Sequence, residues 1–236
     1  MFINTPGLVL NVYPFRDKKI ISKIFTKESG IVSFIVTSNI KQKPLSQILT
    51  IAEITYKKSA NRSLFYVKDV AVDHFYRSLT TNAKKIQVAM VLCEILNKCL
   101  KEKNPDLYDF VISAFKYLDS NCVFVGFDTL FLIKLCDVTG ISPFHNLLSE
   151  PIGAVLNIQD GCFSASEKHI KKEMLVPLKE SLVLYRLSKL SFQEASLKKI
   201  STELNERLFD YMTLYVSEHL ADLTKLKSTQ VLKELE

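Results

Sequence analysis

A chain of 236 residues with 47% apolar side chains, 7 Pro and 6 Gly can build a core along most of its length, which excludes extended disorder. Its formal charge of +6 belongs to the first third: residues 1–85 hold 14 Lys and Arg against 5 Asp and Glu, and the remainder holds 17 against 20. The opening Met1-Phe2-Ile3-Asn4-Thr5-Pro6 lacks the charged start and long apolar run of a signal peptide. No stretch approaches the ~18 to 20 apolar residues of a membrane span, so a soluble, intracellular protein is expected.

The first 75 residues read as five strands separated by polar turns. Gly7 to Tyr13 leads into the turn Arg16-Asp17-Lys18-Lys19, and Ile20 to Thr26 into Lys27-Glu28-Ser29-Gly30, whose Gly suits a positive φ. Ile31 to Thr37 is β-branched, and the long polar stretch Ser38 to Gln47 follows it. Ile48 to Tyr56 and Leu64 to Val72 complete the set, joined by Ser59-Ala60-Asn61-Arg62-Ser63. Five short strands with one long connection after the third fit a small closed barrel of the oligonucleotide-binding (OB) type, although an SH3-like barrel or a small sandwich has the same strand count.

From residue 81 the period becomes helical. Thr81 or Asn82 caps a helix whose stripe is Ile86, Met90, Cys93, Leu96, Asn97 and Leu100. Asn104-Pro105-Asp106 restarts the chain, and Leu107, Phe110, Val111, Ala114, Phe115 and Leu118 form a second stripe. Phe124 to Val138 is apolar around most of its circumference, hence buried between other helices, and stops at Gly140 with Pro143 beyond. Residues 142–163 are turn-rich and read as an irregular excursion. Two Ser-x-x-Glu boxes, Ser164 to Glu167 and Ser191 to Glu194, open later helices, and Pro177 sits in a first turn or breaks the earlier one. The expected architecture is α+β: a five-stranded OB-type barrel over residues 1–80, followed by an all-helical domain over 81–236.

The chemistry-bearing motifs are few. Cys93, Cys99, Cys122, Cys136 and Cys162 contain no C-x-x-C pair, and His74, His145, His169 and His219 do not complete a zinc set, so buried free thiols and no metal are expected. No phosphate-cradling glycine loop or nucleophile elbow is present. Asp106 with Asp109, or Asp69 with Asp73, would be the carboxylates of a metal-dependent nuclease; as surface charges or helix N-terminal charges they need no metal. His169 and His219 lie on polar helix faces and read as surface residues. No enzyme and no cofactor is expected.

In the basic third, cations interleave with aromatics: Tyr13, Phe15 and Arg16; Phe25 and Lys27; Tyr56, Lys57, Lys58 and Arg62; Phe65, Tyr66 and Lys68. Cations that neutralise phosphates beside rings that stack bases are the ingredients of single-strand binding; a solvated basic surface over an aromatic core has the same pattern. The candidate contact residues are Arg16, Lys18, Lys19, Lys23, Lys41, Lys43, Lys57, Lys58 and Arg62. Lys41 and Lys43 stand out because their loop, Thr37 to Gln47, contains no Asp or Glu.

Three stretches carry a family resemblance. Thr5-Pro6-Gly7-Leu8-Val9-Leu10 through Phe15-Arg16-Asp17-Lys18, with Ile24-Phe25-Thr26-Lys27-Glu28-Ser29-Gly30-Ile31-Val32-Ser33-Phe34, resembles the start of the bacterial RecO family of recombinational DNA-repair mediators. Thr129 to Leu135 followed by Thr139-Gly140-Ile141-Ser142-Pro143 is similar to that family's central helix and its exit. Tyr211-Met212-Thr213-Leu214-Tyr215 with Leu226 to Leu232 is similar to the ending of its Bacteroidetes branch. The resemblance implies a non-enzymatic mediator that binds single- and double-stranded DNA, anneals complementary strands, and works with RecR to load the RecA recombinase. It also implies contact with the C-terminal tail of single-strand-binding protein, for which the Thr129 to Pro143 helix and its internal cation Lys134 are the candidate, and a cytoplasmic, nucleoid-associated location. The chain departs from the family in lacking the four-cysteine zinc site of many relatives and in carrying Met212-Thr213 where their tyrosine-arginine pattern stands. The rival expectation from another class is a protein adaptor whose basic barrel contacts an acidic partner and no nucleic acid.

Overall fold

β-Branched and aromatic residues alternate with polar ones over the first 75 residues, and they form strands β1 (Phe2–Pro14), β2 (Ile20–Thr26), β3 (Gly30–Val36), β4 (Ile51–Lys57) and β5 (Leu64–His74). In the computed structural model the described residues are 2–16, 19–37, 39–59, 63–121, 125–145, 147, 149–165, 171–226 and 228. The strands close into a barrel of order β1-β2-β3-β5-β4, with β4 returning to β1. The start of β1 pairs with β4 and its end with β2, Gly7 and Leu8 pairing with both; the register shifts between Val9 and Asn11 in the β1–β2 pairing and at two points in β4–β5. The β3–β5 junction is the single parallel pairing and spans Ser33↔Leu64 to Ile35↔Tyr66. This is the OB-type order, and the SH3-like and sandwich alternatives fall away.

The barrel interior is filled by Val9, Ile24, Phe34, Ile54 and Tyr56, all fully buried, with Phe34 and Tyr56 meeting edge-on at 5.0 Å between ring centres. The connection after β3 is not a free loop. Its 3₁₀ turn, Lys43–Ser46, inserts the fully buried Leu45 into the barrel core, and Gln42 accepts from the Thr37 N–H and hydroxyl while donating to the Val67 carbonyl. Gly30 takes φ +65°, and a Cβ there would lie 2.8 Å from the Glu102 carbonyl carbon, so the β2–β3 turn needs glycine for conformation and for space.

Helices α1 (Ala83–Cys99) and α2 (Pro105–Ser120) belong to the same compact unit as the barrel, residues 1–121 with 226–236; residues 122–225 form a second. Asn82 caps α1 by accepting from the Lys85 N–H, and Asn104 caps α2 through the Leu107 N–H. The buried face of α1 is rotated from the expected stripe. It runs through Lys85, Ala89, Leu92, Cys93, Ile95, Leu96 and Cys99, leaving Ile86, Met90 and Asn97 half-buried, because α1 is apolar on several faces and its packing selects among them.

In the second unit, α3 (Phe127–Thr139) is buried on most sides and ends at Gly140, whose φ of +77° lets the Gly140 and Ile141 N–H groups cap the last carbonyls. Helices α4 (Leu178–Ser188), α5 (Phe192–Ser196) and α6 (Thr202–His219) pack around it. The Ser191–Glu194 capping box is present, and Pro177 stands immediately before α4. The stretch 142–163 is more regular than expected: β6 (Val155–Asn157) and β7 (Cys162–Ser164) form a hairpin whose strands are too short for periodicity to reveal. Cys93, Cys99 and Cys136 are buried thiols, but Cys162 is exposed on β7. Cys122, Phe124, the Glu167 end of the other capping box, His169 and the end of the tail lie outside the described residues.

Candidate nucleic-acid interface

Register and burial together define the outer surface of the barrel. Along β1, β2, β3 and β5, residues whose neighbours fill the core stand outside, and the pairings align them in rows. One row is Tyr13–Ile21–Ile35–Tyr66; the next is Asn11–Lys23–Ser33–Leu64. The first row begins and ends with a solvent-facing ring, Tyr13 at 43% and Tyr66 at 54% exposure, separated by three strand spacings or roughly 14 Å. Asn11 donates its side-chain amide to the Tyr13 hydroxyl at 2.9 Å, which orients that ring. Lys23 stands half-exposed at the centre of the second row.

The β1–β2 turn, with exposed Arg16 and half-buried Lys19, lies at the Ile20 end of this face and is closed by the Phe15 N–H to Lys19 carbonyl bond. The connection after β3 leaves from the same end, since Val36 pairs with Ile20, and carries exposed Lys41 and Lys43. Lys57 and Lys58, both exposed, lie at the other end of β1, where Phe2 faces Lys57. The structure therefore gathers Arg16, Lys19, Lys23, Lys41 and Lys43 around the Tyr13–Tyr66 rows and sets Lys57 and Lys58 apart; Lys18 and Arg62 lie outside the described residues. None of these seven placed cations forms an ion pair with a described residue.

Other members of the basic third are structural. Phe25 is fully buried and packs on Tyr108 of α2 at 5.5 Å, and Lys27 is spent on Asp109 at 2.7 Å. Lys68 lies 4.3 Å over the Phe2 ring, and the acidic residues Glu28 and Asp73 of this third are paired with Lys103 and Lys116 from the helical part of the same unit. The expected carboxylate pairs are thereby divided: Asp109 and Asp73 each face a lysine. Among the described residues no group of three His, Cys, Asp or Glu converges to hold a metal ion.

The most tightly built polar cluster lies behind the face, at the junction of β5 with the helices. Asp119, 3% exposed near the end of α2, accepts from the backbone N–H groups of Arg77, Ser78 and Leu79 at 2.8–3.0 Å. Its own carbonyl accepts from the Ser78 hydroxyl and from the buried Lys85 ammonium at 2.7 Å, and Lys85 also donates to Ser78 Oγ. Burial alone would raise the Asp119 pKa; the three N–H bonds, with His74 at 3.7 Å, outweigh it and hold the carboxyl below its usual range. This cluster fixes residues 77–79 between β5 and α1. Sequence pattern gave no sign of it, because Asp119 reads as one more polar residue near a helix end.

In the second unit Lys134 donates to the Ser188 carbonyl at 2.7 Å and lies 3.7 Å from Asp137, tying α3 to the end of α4. His219 is not a surface residue: its Nε2 lies 2.6 Å from the Ile158 carbonyl and its ring packs on Tyr215. Among the described residues no helix is long and apolar enough to cross a membrane.

Residues 1–75 match the family model for Recombination protein O N terminal. Over its whole length the chain is similar to "DNA repair protein RecO" of Christiangramia forsetii (26% identity, 99% of the relative covered) and of Bacteroides fragilis (27%, 99%). The protein of that name from Porphyromonas gingivalis is 24% identical, again with all of this chain and 99% of the relative aligned.

Proposed function

Because the chain belongs to the RecO family of DNA repair proteins, we propose that its barrel binds single-stranded DNA across the Tyr13–Tyr66 rows and that the protein acts there as a strand-annealing mediator, not an enzyme. The observation that carries this reading is the row itself: two exposed rings on one face, with Lys23 beside them and Arg16, Lys19, Lys41 and Lys43 at one end. Rings stack bases without sequence preference, and uncommitted cations exchange condensed counterions for phosphate contacts. The same cations offset repulsion between two backbones, so base pairing between captured strands drives annealing and no residue exchanges protons. Double-stranded DNA would be held through phosphate alone. RecR as the partner in loading RecA, and the tail of single-strand-binding protein at the Lys134 helix, are proposed on the family resemblance.

Labelled single-stranded oligonucleotide titrated against the full chain tests the reading. Four to six phosphate contacts give a log–log salt slope of roughly −3 to −4. Tyr13→Ala and Tyr66→Ala each remove one stacking platform of about 1–3 kcal/mol, a loss of roughly 5- to 150-fold in affinity. Unchanged affinity in both variants would dismiss this face. If an acidic peptide bound the barrel and no oligonucleotide did, the adaptor reading would replace it.

A further inference from the structure

A groove of about 380 Å³ lies between the connection after β3 and the far end of β5, outside the stacking rows. Its walls are the connection after β3, through Ile40 and Lys43, and the end of β5 with the residues after it, through Val72, His74, Phe75 and Tyr76. Two large apolar side chains stand open to solvent at its lips, Ile40 at 82% and Phe75 at 78% exposure. Its polar groups are Lys43, without an ion pair among the described residues, the His74 imidazole, the Tyr76 hydroxyl bonded to the Leu49 carbonyl, the Thr50 hydroxyl bonded to the Pro44 carbonyl, and the side chains of Gln47 and Thr80. No carboxylate lines it. Exposed Arg77 is the next cation along the chain, and Asp73 is turned to Lys116.

The groove and the stacking rows are joined through Gln42. Its side-chain amide donates to the carbonyl of Val67, the neighbour of Tyr66, and the residue after it is Lys43. Lys43 is thereby held near the Tyr66 end of the rows, while Asp69 and Asp73 stand exposed on the stretch of β5 between Tyr66 and Phe75. The far wall is rigid: the Asp119 cluster holds the backbone of residues 77–79, and the Tyr76 hydroxyl donates to the Leu49 carbonyl at 3.0 Å.

We propose that this groove is a second nucleotide subsite, taking one unpaired base of a single strand that continues from the Tyr13–Tyr66 rows, with Phe75 as its stacking platform and Lys43 as its phosphate contact. The inference rests on the proposed use of those rows. Aromatic rings, neutral donors and acceptors able to meet base edges, and a cation beside them are the composition of a single-strand site. An acidic peptide with an apolar end meets the same cation and apolar walls, but leaves Gln47 and Thr80 without a role.

The test uses the full chain and a series of oligothymidylates of increasing length, each also made with one photoreactive 4-thiothymidine. The wild-type protein should gain affinity with length until both subsites are filled. Phe75→Ala, a change at a solvent-exposed side chain that should leave folding intact, is expected to remove about 5- to 10-fold of affinity from the long oligonucleotides and nothing from the shortest that binds. In the wild type, photocrosslinks from the strand end should fall on Phe75 or Tyr76. Equal weakening at every length, no weakening at any, or crosslinks confined to the barrel rows would overturn the subsite. Loss of an acidic peptide's binding in Phe75→Ala, with DNA binding intact at all lengths, would make the groove a peptide site and overturn it too. Failure of the rows is separable: there Tyr13→Ala and Tyr66→Ala leave short oligonucleotides bound as before.

Discussion

Each compact unit holds an aspartate near a helix end, buried Asp119 in the first and half-buried Asp128 in the second, and their carboxyls are shifted in opposite directions. Asp119 in the first unit receives three backbone N–H bonds, has His74 beside it and the Lys85 ammonium on its own carbonyl, and its pKa is lowered. Asp128 in the second unit is desolvated with less compensation: the Thr129 N–H and the Asn205 amide reach one oxygen, and its pKa is raised. The difference shows that the state of a carboxylate is a balance: desolvation raises its pKa, N–H donors and a neighbouring imidazole lower it, and the balance falls on opposite sides at the two positions. In the first unit the ionised carboxylate organises the backbone between barrel and helix. In the second, the Asp128–Asn205–Thr129 contacts join α3 to α6 with mostly neutral dipoles.

Removing each centre is the strongest way to break this comparison. Asp119→Ala strands three backbone donors, so a loss of about 3–5 kcal/mol is expected in urea unfolding. Asn205→Ala removes the partner of both Asp128 and the buried Thr129 hydroxyl, and a smaller loss of about 1–3 kcal/mol is expected by the same measurement.

Acid titration sharpens it. The Asp119 pKa is depressed, so its contribution is complete above the ordinary value of 3.8 and is lost as pH falls through the lower folded value. Asp128 has the opposite sign. Its ionisation works against the fold, so its contribution is full below 3.8 and declines as pH rises through the elevated folded value. Asp128→Asn should therefore flatten the pH dependence of stability just above pH 4 and change stability at neutral pH by less than about 1 kcal/mol, where the amide replaces a poorly compensated charge. Unfolding midpoints measured from pH 3 to pH 7 check both signs; a steeper slope above pH 4 in that variant would show that Asp128 is held ionised.

The two units also differ in how they use lysine, and this gives the smallest expected effect. Removing Lys41 and Lys43 together should flatten the salt slope of DNA binding by about one unit. Lys134→Met should leave that slope unchanged, because its ammonium serves the Ser188 carbonyl. Salt titrations of the two variants side by side decide it.

Alternation of apolar and polar residues, the glycine at position 30 and the Asn82, Asn104 and Ser191 caps are local signals, and the barrel strands and most helices were legible from them. The site was legible in part. Charge counting placed the candidate face in the first third, yet a lysine's role depends on what stands opposite it. Lys27 and Lys85 look like Lys23 and Lys41 in sequence; only the folded chain brings Asp109 to the first and the Asp119 carbonyl to the second. Tyr13 and Tyr66 were visible as aromatics among cations, but their common row exists only through the registers of three strand pairings.

What the sequence determined by itself was thus the order of the main strands and helices, the β-then-α class and the sign of the surface, since these follow from periodicity and composition over short windows. The tertiary structure alone decided which cations remain uncommitted, which rings share a face, and that Asp119 holds a turn some 40 residues earlier in the chain. Hydrogen bonds and ion pairs act over about 3 Å, and at that range the neighbours are chosen by strand register and helix packing, not by separation along the chain.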